Sequence, residues 1–304
     1  MAPPPLSLSA ANGLVVGAHG RHYLVESADG SRMQCVPRGK KSDCVVGDRV
    51  LWAPTGDSGV IERVAERRNL LHRQDEWKTK SFAANIDQLL VLVAVEPMYS
   101  ESQLARALIA AEHAGIPALI VLNKIDLPSV AAARERLAPY RAMGVAVHEL
   151  SLKARADEAR ALLTPLLADS ATLVLGPSGM GKSTLINGMV PAAAAQVGEI
   201  SLALNAGRHT TTTTTWYWLD DARRTALLDS PGFQEFGLRQ VTAAELPMRM
   251  PDIRQHAQAC RFYNCSHLHE PGCGVRDAVA RGDIHPSRYR IYQELHGELS
   301  STRY

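Results

Sequence analysis

No stretch of these 304 residues approaches the roughly 18–20 consecutive apolar residues of a membrane-spanning helix. The longest apolar run, Leu89 to Val95, is of strand length, so no membrane partner is expected. A dominant charge is missing too. Lys and Arg number 33 against 31 Asp and Glu, a formal net charge of +2. That balance demands neither nucleic acid nor an acidic substrate. Both ends of the chain lean basic and the middle leans acidic, a small bias toward an anionic partner at the ends. Cysteine is scarce and odd in number, at Cys35, Cys44, Cys260, Cys265 and Cys273, which argues against a disulfide scaffold. The N-terminal MAPPPLSLSAANG holds neither a basic residue nor a long apolar core. It lacks the pattern of a secretory signal, reads as a disordered lead over residues 1–12, and a cytoplasmic location is expected.

What is present is ordinary globular material, 46% hydrophobic and 21% charged, which excludes global disorder. Residues 13–72 read as five short strands, at Gly13–Ala18, His22–Glu26, Met33–Val36, Arg49–Trp52 and Val60–Val64. The turns Ala28-Asp29-Gly30 and Thr55-Gly56-Asp57 punctuate them. An OB-like barrel is the expected fold, serving either as an RNA contact through Arg38-Gly39-Lys40-Lys41 or as a structural module. Over residues 73–247 apolar strands alternate with helices, beginning with Ile86–Val95, apolar without alternation from Leu89 on. Strands without polar alternation are covered on both faces, so an α/β domain with a parallel sheet is expected. A small Cys/His-rich domain with a charged helix near Arg288–Leu299 follows over residues 248–304.

Gly176-Pro177-Ser178-Gly179-Met180-Gly181-Lys182-Ser183-Thr184 follows the strand Thr172–Leu175 and opens a helix. That is the context of a phosphate-binding loop of the G-x-x-x-x-G-K-[ST] type. Glycines let backbone N–H groups curl around phosphate oxygens, and the helix N-terminus adds partial positive charge. Lys182 should reach the β- and γ-phosphates and act in catalysis, and Ser183 should ligate Mg²⁺. Asn123-Lys124-Ile125-Asp126 ends another buried strand. The Asp126 carboxylate suits guanine, whose N1–H and exocyclic amine both donate; adenine would leave it unpaired. Lys124 is expected over the base, and Asn123 to tie this loop to the phosphate loop. Ser151-Leu152-Lys153 ends the next strand and offers backbone to guanine O6. The base reader precedes the phosphate loop, the reverse of most GTPases, as a circular permutation would produce.

Asp229-Ser230-Pro231-Gly232 reads as the γ-phosphate sensor, with Asp229 toward Mg²⁺ and the Gly232 N–H toward a γ-oxygen. Gly207-Arg208-His209 precedes six threonines, Thr210 to Thr215. Thr210 or Thr211 is expected to close over Mg²⁺, while Thr213–Thr215 read as strand. Phe233 stands where many GTPases place the glutamine that orients the attacking water. His209 is the first candidate for that role and Gln234 the second; an idle, exposed loop histidine is the competing reading. Cys260-x4-Cys265-x-His267-x5-Cys273 supplies the three thiolates and one imidazole of a closed structural zinc site. Cys35 and Cys44 are expected to stay free.

Taken in order, N-K-I-D, G-P-S-G-M-G-K-S-T, G-R-H-T-T, D-S-P-G-F, E-F-G-L and C-x4-C-x-H-x-x-E-P-G-C resemble the bacterial ribosome small-subunit-dependent GTPase A (RsgA) family, from about residue 13 to 295. The resemblance implies an OB domain, a circularly permuted GTPase domain and a zinc domain. It implies late maturation of the small ribosomal subunit through contact with its rRNA, with GTP hydrolysis stimulated by the subunit and driving release. By the same resemblance His209 matches the catalytic histidine, Thr211 the switch threonine, and Cys260, Cys265, His267 and Cys273 the zinc ligands. GTP or GDP, Mg²⁺ and one Zn²⁺ are the expected cofactors, and a monomer the expected state. The alternative, from Phe233, is an RNA-binding assembly factor that holds GTP structurally with negligible turnover.

Overall fold

The computed structural model describes residues 12–39, 43–74, 79–190, 214–232 and 236–301. Tight turns join β1 (Gly13–His19), β2 (His22–Glu26), β3 (Arg32–Pro37), β4 (Arg49–Thr55) and β5 (Ser58–Val64). β1 pairs with β2 and β2 with β3; β3 runs parallel to β5, β5 pairs with β4, and β4 returns to β1. The pairings close on themselves, giving the five-stranded OB-like barrel. Val15, Val25, Cys35 and Val50 are fully buried inside it. A hairpin of β6 (Leu70–Gln74) and β7 (Thr79–Ala84) leads out.

The next six strands form one sheet: β8 (Gln88–Ala94), β9 (Ala118–Asn123), β10 (Ala146–Glu149), β11 (Ala171–Leu175), β12 (Thr215–Trp218) and β13 (Ala226–Asp229). Their spatial order is β10-β9-β8-β11-β13-β12, and β12 alone of these six runs antiparallel to its neighbour. Leu89 to Val95 are buried because the sheet is covered on both faces. Helices α1 (Glu101–His113), α2 (Val130–Ala142), α3 (Ala156–Leu167) and α4 (Lys182–Met189) alternate with the strands. If β11 is counted first and the sequence wraps from β13 to β8, the spatial order from β12 becomes 2-3-1-4-5-6. The permutation expected from motif order is thus visible in the sheet. The strand order reverses between β8 and β11, and the carboxyl ends beside such a reversal are where open α/β sheets bind ligands.

After β13 come a 3-10 turn (Leu246–Arg249), α5 (Pro251–Ala257), α6 (Gly274–Arg281) and α7 (Pro286–Ser300). Buried Arg288 on α7 is bound by Asp252 at 2.8 Å and lies 5.0 Å over the Tyr140 ring of α2. Arg106 of α1 holds Glu298 of α7, and Arg254 of α5 pairs with Glu112 of α1 at 2.7 Å. The barrel joins the sheet at its other edge, where Gly17 of β1 faces Thr215 of β12. There the buried Glu26 carboxylate accepts from Trp218 Nε1 at 2.7 Å and Arg32 Nε at 2.8 Å. Among the described residues no helix is long and apolar enough to cross a membrane.

Candidate nucleotide site and metal centre

Three strand ends deliver the predicted nucleotide residues to one edge of the sheet. β9 ends on Asn123, β11 runs into the phosphate loop, and β13 ends on Asp229. Asn123 is 3% exposed and uses both ends of its amide. Its Nδ2 donates to Met180 O at 2.9 Å; its Oδ1 accepts from Leu152 N at 3.0 Å and Lys124 N at 2.8 Å. One side chain therefore ties together the base-reading loop, the phosphate loop and the loop after β10. Lys124, in the left-handed region at φ 65°, adds a second tie. Its Nζ donates to Glu96 O at 2.6 Å and Gly179 O at 2.9 Å. Asp126 accepts from the Ser151 hydroxyl, and that bond holds its carboxyl below the ordinary carboxylate value. Ser151 thus has a side-chain role beyond the backbone role read from sequence.

Gly181 caps α4 at φ 105°, and a Cβ there would fall 2.4 Å from Asn123 Nδ2. Glycine is required on both counts, since an L side chain resists positive φ and the space is taken. Lys182 Nζ donates to Gly176 O at 2.7 Å and Pro177 O at 3.2 Å. Burial lowers the Lys182 ammonium, and the nearby Asp229 carboxylate raises it. Burial pushes Asp229 up to about 6 against the pull of Lys182. An anion such as a phosphate suits the Lys182 ammonium, and a divalent cation suits the Asp229 carboxylate. Gly232 lies close enough that a Cβ would stand 3.3 Å from Lys182 Nζ. Ser230, one residue after Asp229, donates to Val174 O at 2.6 Å and fastens the end of β13 to β11. His209, Thr210, Thr211, Phe233 and Gln234 lie outside the described residues, as do Lys40 and Lys41.

The second cluster is Cys260, Cys265, His267 and Cys273, whose ligand atoms all lie within 4.8 Å of one another. Cys260 Sγ is 3.4 Å from His267 Nδ1 and 3.9 Å from Cys273 Sγ; Cys273 Sγ is 3.6 Å from His267 Nδ1. Tetrahedral zinc with ordinary bond lengths sets sulfur–sulfur edges of about 3.8 Å and sulfur–nitrogen edges of about 3.6 Å. The four donors fit that ion. Cys273 caps α6, where its sulfur accepts from Arg276 N at 3.5 Å and meets the helix dipole. Tyr289 and Tyr292 of α7 donate to His267 O at 2.7 Å and Ser266 O at 2.8 Å. The sequence reading missed these two supports, whose spacing on one face of α7 was their only signal. Cys35 and Cys44 are buried and form no disulfide among the described residues.

The family model described as RsgA GTPase matches residues 64–239. A protein of Variovorax paradoxus (strain S110), named small ribosomal subunit biogenesis GTPase RsgA, is 59% identical over 298 residues, covering 96% of this chain and 94% of its own length. The protein of the same name from Burkholderia pseudomallei (strain K96243) is 56% identical over 293 residues, covering 95% and 93%. YjeQ from Thermotoga maritima, a solved structure, matches at TM-score 0.73 and 30% identity, covering 96% of this chain and 99% of that one. YloQ, described as a circularly permuted GTPase, matches at TM-score 0.70 and 26% identity, covering 97% of each. Fold and motif order define a GTP hydrolase of the circularly permuted class. Within that class, the chain belongs to the RsgA GTPase family.

Proposed function

We propose that this GTPase assists late maturation of the small ribosomal subunit in the cytoplasm, acting as a monomer that docks on the subunit's rRNA. The subunit stimulates hydrolysis, and hydrolysis releases the protein. Support comes from the relatives named for biogenesis of that subunit. We divide the chain into a lead (1–12), the barrel (13–72), the GTPase domain (73–247) and a zinc domain (248–304). The barrel and the zinc domain are the docking ends.

The observation that carries the nucleotide reading is the 2.9 Å bond from Asn123 to Met180 O, which brings base reader and phosphate loop into one site. Asp126 receives guanine N1–H and the exocyclic amine, oriented by Ser151. Leu152 N–H is committed to Asn123, so the Lys153 N–H is the donor toward guanine O6. Backbone N–H groups of the Gly176–Thr184 loop, Pro177 having none, cradle the phosphates, and Lys182 supplies the cation for the β- and γ-phosphates. Ser183, Asp229 and Thr211 would hold Mg²⁺, which when bound neutralises charge on the phosphate oxygens. The Gly232 N–H meets the γ-phosphate. His209 orients the attacking water, a role Phe233 cannot fill. Cys260, Cys265, His267 and Cys273 hold one structural Zn²⁺.

The test is GTP turnover with and without purified small subunits across a salt series, for wild type, Lys182→Ala and His209→Ala. Stimulation that fades with salt is expected for wild type. Lys182→Ala loses turnover, whereas His209→Ala loses stimulated turnover at unchanged GTP affinity. Turnover that small subunits do not change would refute the docking, and wild-type turnover by Lys182→Ala would refute the site.

A further inference from the structure

The Cys/His segment carries a short exposed loop that neither the nucleotide site nor the metal centre uses. Cys260 and Cys265, two of the four metal donors, bracket Arg261, Phe262, Tyr263 and Asn264. All four intervening residues are exposed. The loop is nonetheless held in place. Arg261 N donates to Gly272 O at 2.9 Å, and Cys265 N donates to Phe262 O at 3.3 Å. The chain at Gly272 passes so close that a Cβ there would stand 3.2 Å from Arg261 Cβ.

Among the described residues four large hydrophobic side chains are exposed, and the two aromatic ones are the neighbours Phe262 and Tyr263. The Arg261 guanidinium lies 5.5 Å over the Phe262 ring, a cation–π pair. Tyr263 is fully exposed. A ring already fixed on a stapled loop can bury its face against a partner with little further ordering cost. Charge decides what kind of partner. From Ile253 to Arg276 the chain carries Arg254, Arg261 and Arg276 against a single acid, Glu270. The Glu270 carboxylate is occupied by the loop's own backbone, accepting from Ser266 N at 2.9 Å and His269 N at 3.2 Å. Arg261 and Arg276 are exposed. A cationic surround attracts phosphates, and an open ring face takes a base that is not already stacked within a duplex.

We propose that Tyr263 is the stacking platform for one unpaired nucleobase of RNA, with Arg261 supplying charge to the flanking phosphate. This rests on the reading that the zinc domain docks on rRNA, and it narrows that docking to a single-stranded contact at one loop tip.

The test measures the affinity of the full zinc-loaded chain for purified small subunits and for protein-free small-subunit rRNA, across a salt series. Tyr263→Ala should weaken both by about 5- to 140-fold, the worth of one stacked base. Tyr263→Trp should keep wild-type affinity. Tyr263→Leu, apolar but without a ring face, should fall with the alanine variant. The salt slope should stay the same in all three, because no phosphate contact is touched, whereas Arg261→Gln should reduce it by about one. Zinc content equal to wild type reports that the loop is intact. Unchanged affinity in Tyr263→Ala, with wild type bound, would overturn the stacking and leave the docking reading standing. So would full rescue by leucine. A loss seen on subunits but absent on free rRNA would also overturn it, making the occupant a ribosomal protein. Wild type that binds neither probe would overturn the docking reading together with the inference.

Discussion

Asn123→Ala cuts the side chain that holds the two halves of the nucleotide site together. It removes the bond to Met180 O at 2.9 Å and the one from Leu152 N at 3.0 Å, the two that cross between loops. Both sit around a residue only 3% exposed, so water does not readily replace the lost partner. A net hydrogen bond is worth about 0.5–1.5 kcal/mol, and a stranded buried group raises the cost. Two such bonds put the loss at about 2–3 kcal/mol, or roughly 30- to 150-fold in affinity at 1.4 kcal/mol per decade. The assay is displacement of a fluorescent GDP analogue, with the far-UV spectrum checking the fold. Because the tie acts on loop position and not on the base, the same loss is expected for xanthosine diphosphate in an Asp126→Asn background. A loss below about threefold would refute the reasoning. So would a loss confined to guanine, which would make Asn123 a base contact.

Metal removal should act on the C-terminal segment first. The purified chain is expected to release one equivalent of zinc when its thiols are modified, and the stripped chain to be cleaved by protease between Cys260 and Cys273. Full thermal stability without metal would count against the site. At the barrel junction, Glu26→Ala removes the acceptor of the part-exposed Arg32 guanidinium and of the Trp218 indole and should cost about 2–3 kcal/mol, against about 1 kcal/mol for Trp218→Phe. Denaturant melts of the two variants decide; equal costs would mean that Glu26 is not the hub. The Arg106–Glu298 contact predicts an acid limb. Hydrogen bonds from Arg106 hold Glu298 below its ordinary value of 4.5. A depressed acid contributes stability above that value and loses it as pH falls through the lower folded value. Thermal melts from pH 7 downward should show wild type more stable than Glu298→Gln at pH 7, with the gap narrowing as pH falls below 4.5. A gap that stays constant or widens below that value would contradict this.

Much of the fold was legible because its signals are local. The five barrel strands follow from alternation and turn residues, and β8 from its unbroken apolar run. The hairpin β6–β7 was not read. Leu70–Gln74 carries two apolar residues ahead of three polar ones, and its ordering comes from pairing with Thr79–Ala84. Helices were expected in the C-terminal domain, but only the one near Arg288–Leu299 was placed; α5 and α6, of seven and eight residues, were not. They are too short to show a period, and packing and the Cys/His cluster define them. The phosphate loop and base reader are contiguous motifs and were visible as such. Lys124 is read from sequence as lying over the base; that its ammonium also rests on two backbone carbonyls was not legible, because carbonyls carry no sequence signature. The Glu26–Trp218 bond spans 192 residues, a separation no local pattern encodes.

The most direct measurement of the central claim is nucleotide preference in Asp126→Asn. The claim is that a base reader lying before the phosphate loop in sequence completes one guanine site with it. Xanthine replaces the exocyclic amine of guanine with a carbonyl, and an asparagine amide can donate to that carbonyl. The account predicts that Asp126→Asn turns over xanthosine triphosphate in preference to GTP, reversing wild type, with the fold unchanged. Retained GTP preference in that variant would remove Asp126 from the site and contradict the account.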